Sequence, residues 1–309
     1  MQQLKRVYGE FIKNGLNISD ETQRDKFPKI QAQIIELTDQ FETNAAASTT
    51  AHAWLSIEEL AGVPKEVLSQ MEKGNGDHEG KLQVIFRDHL RAVLRFAVKA
   101  DTRKRVYVAH ANRCNENIPL FREVVILRDE AARLLMYSSH AALVVENKMA
   151  QTTETVHSVL NTLQKGLMPG GLRELDKYRR LKEIDCVSQQ GSWDGHYFLW
   201  DQPFYSRRLL QIVHSIDLDE IAEYFPLQTT IHGMMNIFGR LFSIEFVELT
   251  TYDMTSWHDD VSACDAAERG GDFLGYLYLD LYSRGFKPTN PGNFPIVPVS
   301  WHLLSLGPA

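Results

Sequence analysis

No two of the eleven histidines in this 309-residue chain stand closer than 11 positions apart. The HExxH pattern, which sets two histidines on one helix face beside a glutamate, is therefore missing. His78-Glu79 begins it, but Gly80-Lys81-Leu82 follows, with no second histidine. Cysteine is scarce as well. Cys114, Cys186 and Cys264 lie 72 and 78 positions apart and form no CxxC pair, so neither a disulfide framework nor a cysteine zinc site is expected. A reducing compartment suits this usage, and the expected location is the cytoplasm. There is no GxSxG elbow, no GxGxxG and no GxxxxGK[ST], which removes the sequence signals for an elbow serine hydrolase and for nucleotide binding. No run of 18 apolar residues exists to cross a membrane. The opening MQQLKRVYGEFIKNG has no apolar stretch of signal-peptide length. A net charge of -7 gives no general attraction to nucleic acid or to an anionic membrane.

What is present is an ordinary soluble composition, 44% hydrophobic and 24% charged. Most of the chain carries a helical period. Pro28 is expected to open a helix over 28–46, with Ile30, Ile34, Ile35, Leu37 and Phe41 as its apolar face. Ser56 and Glu59 have capping-box spacing before a short helix closed by Gly62. Pro64 opens another, ending near Gly74, and Gly74 to Asp77 read as a surface turn. Lys81 to Phe86 fits either a strand or a helix start, and helices are expected at 88–99 and 101–113. The clearest stripe runs from Asn117 to Met136. Ser139 begins a further helix. The next starts at Thr152 or Thr153 and is expected to stop at Met168-Pro169-Gly170-Gly171, with a polar helix following over 171–183. The stretch 185–203 reads as a loop with aromatic anchors. Helices return at 204–215, at 218–224 behind Asp217, and from Pro226 to Phe242. The period then changes. Ser243 to Leu249 and Asp260 to Glu268 read as strands, Gly270-Gly271 as a hairpin turn, and Phe273 to Tyr282 as a strand covered on both faces. The expected fold is mainly α, with a small β-sheet near the C-terminal end. Three segments are expected: an N-terminal helical segment 1–75, a body 76–284, and a Pro-rich divergent tail 285–309.

Chemistry-bearing residues are sparse. Arg103-Lys104-Arg105 lacks interleaved aromatics and reads as a solvated helix face rather than a nucleic-acid patch. The densest constellation is Trp257-His258-Asp259-Asp260, followed after the hairpin by Tyr276, Tyr278, Asp280, Tyr282 and Arg284. Rigid aromatic area beside carboxylates and a strand edge suits the wall of a peptide-binding cleft. The plainer alternative is an aromatic core strand with Asp280 paired to Arg284. No catalytic, metal-binding or cofactor-binding residue is assigned. His258, Asp259, Tyr278 and Asp280 are the candidate substrate-cleft residues.

At these residues the sequence resembles the thimet oligopeptidase family of zinc peptidases (the M3 family, with neurolysin, the yeast and fungal cytosolic oligopeptidases and the mitochondrial intermediate peptidase). The likeness lies in Trp257-His258-Asp259-Asp260-Val261 and in the run from Gly271 to Arg284. Upstream, Glu223-Tyr224-Phe225-Pro226-Leu227 is similar to the family's "EYFPL" opening. Leu127-Arg128-Asp129-Glu130-Ala131, with His140-Ala141 and Glu146-Asn147-Lys148-Met149-Ala150, is similar to its "LRxExA…HA…LExxMA" stretch. Trp193-Asp194 with Tyr197, Asn112-Arg113-Cys114, and Leu55 to Pro64 match further short motifs in the same order. Ser283 stands where the family has proline, and Met136 where it has glycine.

The resemblance spans about 1–284. It implies a mainly helical, two-lobed peptidase whose channel admits short peptides. In that family, zinc activates a water that the HExxH glutamate deprotonates. The 25 residues after Arg284 do not resemble the family segment carrying those ligands. The expectation is therefore a truncated oligopeptidase-like protein with no zinc of its own, no catalysis, short peptides as partners, and self-association through uncovered apolar faces. A non-catalytic peptide-binding or regulatory protein, and a hydrolase built on an unrecognised site, remain as alternatives.

Overall fold

The structure, a computed structural model, describes residues 2–188, 193, 195–249, 255–282, 284, 287, 292–294 and 296. They fall into two compact units, Met1–Ile216 and Asp217–Ala309.

The first unit begins with α1 (Gln2–Lys13) and α2 (Glu21–Ala47). Asp20 caps α2, its carboxylate accepting the Gln23 amide at 2.8 Å, so the helix starts seven residues before Pro28. Pro28 sits inside the helix rather than opening it. It is exposed, so the Arg24 carbonyl that loses a partner faces water. The inner face of α2 buries Phe27, Ile30 and Ile34.

Strand β1 (His52–Ser56), unforeseen in the sequence, pairs antiparallel with β2 (Lys81–Ile85). Between them lies the short α3 (Lys65–Ser69). The capping box forms in full: the Ser56 amide donates to Glu59 Oε2 at 2.8 Å, and the Glu59 amide donates to Ser56 Oγ at 3.1 Å. It closes a turn rather than a helix, because β1 runs up to Ser56. Gly62 then adopts φ +95°, and a Cβ there would stand 2.5 Å from the Phe96 carbonyl.

Strand β2 passes directly into α4 (Phe86–Phe96), so both readings of Lys81 to Phe86 hold in succession. Leu55, Leu60, Val84, Val93 and Val106 are fully enclosed in the core shared by β1, β2, α4 and α5 (Ala100–Ala111). Each buried side chain of this size contributes roughly 1.5–3 kcal/mol of transfer free energy.

The long stripe forms α6 (Asn117–Leu134), which lays Val124, Leu127 and Ala131 against Ile30 and Ile34 of α2. It ends in a Schellman turn. The Tyr137 amide donates to the Ala132 carbonyl at 3.0 Å and the Met136 amide to the Arg133 carbonyl at 2.9 Å. Met136 holds the left-handed position, φ +67°. A short α7 (His140–Val145) follows, capped by Ser139. Then comes α8 (Thr153–Ser188), one continuous helix of 36 residues. The expected stop at Met168–Gly171 does not occur. Pro169, Gly170 and Gly171 are all exposed, so the carbonyl freed by Pro169 can face water and the helix continues. Helix α9 (Gln202–His214) packs back on α8 through Tyr178, Phe204 and Tyr205.

The second unit holds α10 (Leu218–Glu223), capped by Asp217, and α11 (Leu227–Phe242), entered from Pro226. Strands β3 (Ile244–Glu248), β4 (Ser262–Glu268) and β5 (Phe273–Leu279) form an antiparallel sheet in the order β3-β4-β5. The Gly270-Gly271 turn joins β4 to β5, and a register shift at Ala266/Ala267 leaves Leu274 unpaired as a bulge. The fold is mainly α with a small antiparallel sheet near the C-terminal end, as the sequence indicates. Strand β5, expected to be covered on both faces, is open over its first half: Phe273, Leu274 and Tyr276 are 53%, 43% and 62% exposed. Of the tail 285–309, only Lys287, 292–294 and Ile296 lie within the described residues.

Candidate functional site

The hairpin gathers the sequence candidates at one end of β5. Tyr278, across from Ala263 in the sheet, sets its ring 5.5 Å from that of Trp257. Asp280, just past the strand, is the hub. It accepts Trp257 Nε1–H at 3.0 Å and the Arg284 guanidinium in a two-pronged pair at 2.6 and 2.7 Å. Lys287 Nζ adds a bond at 2.9 Å to the same carboxylate, and bonds at 2.7 Å each to the carbonyls of Asp280 and Tyr282. Hydrogen bonds from Arg284, then Lys287 and Trp257, hold the Asp280 carboxyl well below the usual carboxylate range. Asp280 raises the Arg284 pKa in return.

His258 turns its Nδ1 to accept the Asp260 amide at 3.1 Å, which leaves the proton of the neutral ring on Nε2. The Asp260 carboxylate lies 3.5 Å from the same nitrogen. Asp259 is exposed on the same turn. The structure thus ties Trp257, Tyr278, Asp280 and Arg284 into one assembly, and His258 closes a separate local turn with Asp260.

A second polar assembly, in the first unit, escaped the sequence reading. Arg103 is buried, not solvated: its Nη2 donates to Asp201 Oδ1 at 2.7 Å, with the two side chains 1% and 0% exposed. Its Nη1 donates to the carbonyls of Ala97 and Val98 at 2.8 and 2.9 Å. Lys182 reaches Asp201 Oδ2 at 2.7 Å and the His196 carbonyl at 2.9 Å. Only Lys104 and Arg105 of the basic run are exposed, and Arg105 pairs with Glu59 at 2.6 Å. Burial raises the phenol pKa values of neighbouring Tyr197 and Tyr205 well above the ordinary value. The hint in the sequence was helical spacing: Thr102, Arg103 and Val106 share one face of α5, and all three are buried. Of the Trp193-Asp194 pair, Asp194 lies outside the described residues.

Among the described residues, no three histidine, cysteine, aspartate or glutamate side chains stand close enough to hold a metal ion. The described side chains therefore do not fit the zinc that the resemblance implies. No helix among them is long and apolar enough to cross a membrane.

Comparison with known proteins places these assemblies in a family. Saccharolysin of Saccharomyces cerevisiae is 32% identical over 300 residues, covering 94% of this chain and 42% of that protein. Oligopeptidase PhomG of Diaporthe leptostromiformis is 31% identical over 302 residues, covering 95% and 42%. A thimet-like oligopeptidase of Dictyostelium discoideum is 29% identical over 295 residues, covering 93% and 43%. The chain therefore spans less than half the length of these relatives. The sequence profile described as "Peptidase family M3" matches residues 93–303, which include both polar assemblies and the whole sheet. The chain belongs to peptidase family M3.

Proposed function

We propose that these residues supply a peptide-holding part of a zinc oligopeptidase. As a polypeptide of 309 residues, they bind short peptides without cleaving them. The observation that carries the reading is the edge of β5. Its only sheet neighbour among the described residues is β4, and Phe273 and Tyr276 are exposed along it. An extended peptide adds to such an edge as a further strand, with backbone hydrogen bonds for affinity and aromatic faces for side-chain contact. Asp280 is a brace in this reading. Saturated by Arg284, Lys287 and Trp257, and held strongly acidic, it is unsuited to take a proton near neutral pH. It fixes the Trp257–Tyr278 pair at the end of the peptide's path. None of the 309 residues supplies an HExxH pattern, so no hydrolytic step is assigned to them. The reading also serves a non-catalytic peptide-binding or regulatory protein. The three free cysteines support a reducing, cytoplasmic setting.

The experiment is a pair of titrations on the purified polypeptide. One follows an internally quenched peptide of about eight to twelve residues with zinc and with chelator, the length suited to a strand-long groove. The other follows anisotropy of a labelled, uncleavable peptide. The expected result is no chelator-sensitive cleavage and saturable binding that Tyr276→Ser weakens. Chelator-sensitive turnover, or a flat anisotropy titration, would overturn it.

A further inference from the structure

Charge is unevenly placed along this chain. From Asp217 to Ala309 the sequence has thirteen aspartates and glutamates against four lysines and arginines, so the second unit carries the negative excess of a chain whose net charge is -7. Two of those four cations, Arg284 and Lys287, are bound to Asp280. Arg240 lies on α11, and Arg269 begins the turn after β4, between Glu268 and Asp272. The sheet register sets part of the excess beside exposed aromatic rings. Asp265 on β4 stands directly across from Tyr276 on β5 and from Val247 on β3, so the three share one face. On the next row of that face Ala267 lies between Glu245 and Phe273. Phe273 packs edge-on against Tyr276, with ring centres 4.9 Å apart, and steadies its ring. Tyr276 and Val247 are exposed, and Asp265 is half-buried between them. Among the described residues neither Asp265 nor Glu245 has a hydrogen-bond or ion-pair partner.

We infer that this face is an arginine-selective subsite for a peptide added to the edge of β5, an inference that rests on the peptide-holding reading above. A strand added there extends the row Val247–Asp265–Tyr276 by one residue, which stands about 10 Å from Asp265, two strand spacings away. The Tyr276 ring occupies the interval. Arginine suits it best: its stem and planar guanidinium lie over the aromatic face, and the fork pairs with the Asp265 carboxylate beyond. Lysine brings a point charge without the planar fork, and glutamate meets the carboxylates of Asp265 and Glu245. Asp265 sets the specificity in this arrangement, and Tyr276 is the platform.

The test is anisotropy titration of the full polypeptide with a labelled, uncleavable host peptide of about nine residues, a strand's length. Its central residue is arginine, citrulline (the neutral isostere) or glutamate. The expected order is arginine tightest, roughly tenfold ahead of citrulline, with glutamate weakest. Asp265→Asn brings the arginine-to-citrulline ratio close to one. Asp265→Glu, which keeps the charge, retains the preference, so that a loss through misfolding is told apart from a loss of charge. Equal affinity for the three peptides overturns the subsite and leaves strand addition standing. An arginine preference that survives Asp265→Asn overturns the assignment to Asp265. Flat titrations with all three overturn the peptide-holding reading and the subsite with it.

Discussion

The two units hold their shape by different means. Met1–Ile216 holds three buried apolar clusters and an ion triad whose carboxylate is wholly enclosed. In Asp217–Ala309, the buried apolar side chains are Met235, Val261 and Ala263 among the described residues, and the corresponding ionic assembly stays about one-fifth exposed. Helix α11 leaves Ile237, Leu241 and Phe242 60%, 69% and 64% exposed. One unit is stabilised chiefly by burial and the other by strand pairing and a surface clamp. A carboxylate between two cations is thus indispensable in the first setting and adjustable in the second.

The sharpest way to break the contrast is Asp201→Ala. It strands Arg103 and Lys182 without their counter-charge, at an expected cost of about 3–5 kcal/mol. Urea unfolding of the variant should show the loss in the first unit, with amide-exchange protection in β4 and β5 retained. Equal loss of protection in the sheet would mean that the units do not unfold separately.

Next in size is the exposed face of α11. We expect the polypeptide to self-associate through such surfaces, and Leu241→Asp with Ile237→Asp to shift its sedimentation toward monomer. Unchanged sedimentation would assign association to another face.

The clamp gives a smaller, pH-dependent effect. The folded pKa of Asp280 lies below its unfolded value, which is about 3.9 for an unperturbed aspartate. Its contribution is therefore fully present above that value and fades as pH falls through the folded pKa. Wild-type hairpin protection should decline in acid with a component that Asp280→Asn lacks. Parallel acid profiles would remove the clamp from the stability of the sheet.

The smallest expected effect is Met136→Gly. Methionine occupies a left-handed position, φ +67°, that favours glycine. Relieving it should raise stability by about 1 kcal/mol, read from the denaturant midpoint.

The same contrast explains what the sequence disclosed. The Asn117 stripe, the Ser56–Glu59 reciprocal cap and the Gly270-Gly271 hairpin were legible because each is a local pattern with a local partner. The Asp280–Arg284 pair, four residues apart, was legible as one of two alternatives. Strand β1 was hidden because its five residues pair with β2 only after the intervening chain folds back. The helix start expected at Pro28 and the stop expected at Met168–Gly171 both failed because the two prolines are exposed, where a freed carbonyl can face water. Arg103 escaped because its partner lies 98 positions away. Burial of a charge depends on a distant counter-charge, which spacing along the chain does not reveal. In the candidate site, the aromatic and carboxylate content was readable, but which carboxylate is a brace was not. That depends on Trp257 returning to Asp280 across 23 positions.

The triad also has a consequence for synthesis. A ribosome releases Arg103 and Lys182 before Asp201, so most of the first unit emerges while two core positions hold cations without their anion. A nascent chain paused before residue 201 cannot close that core without burying bare charge, a cost of several kcal/mol per ion. The contact of Arg103 on α5 and Lys182 on α8 is therefore expected to close only once Asp201, just before α9, has been added. The order of translation becomes a checkpoint on when the unit can settle.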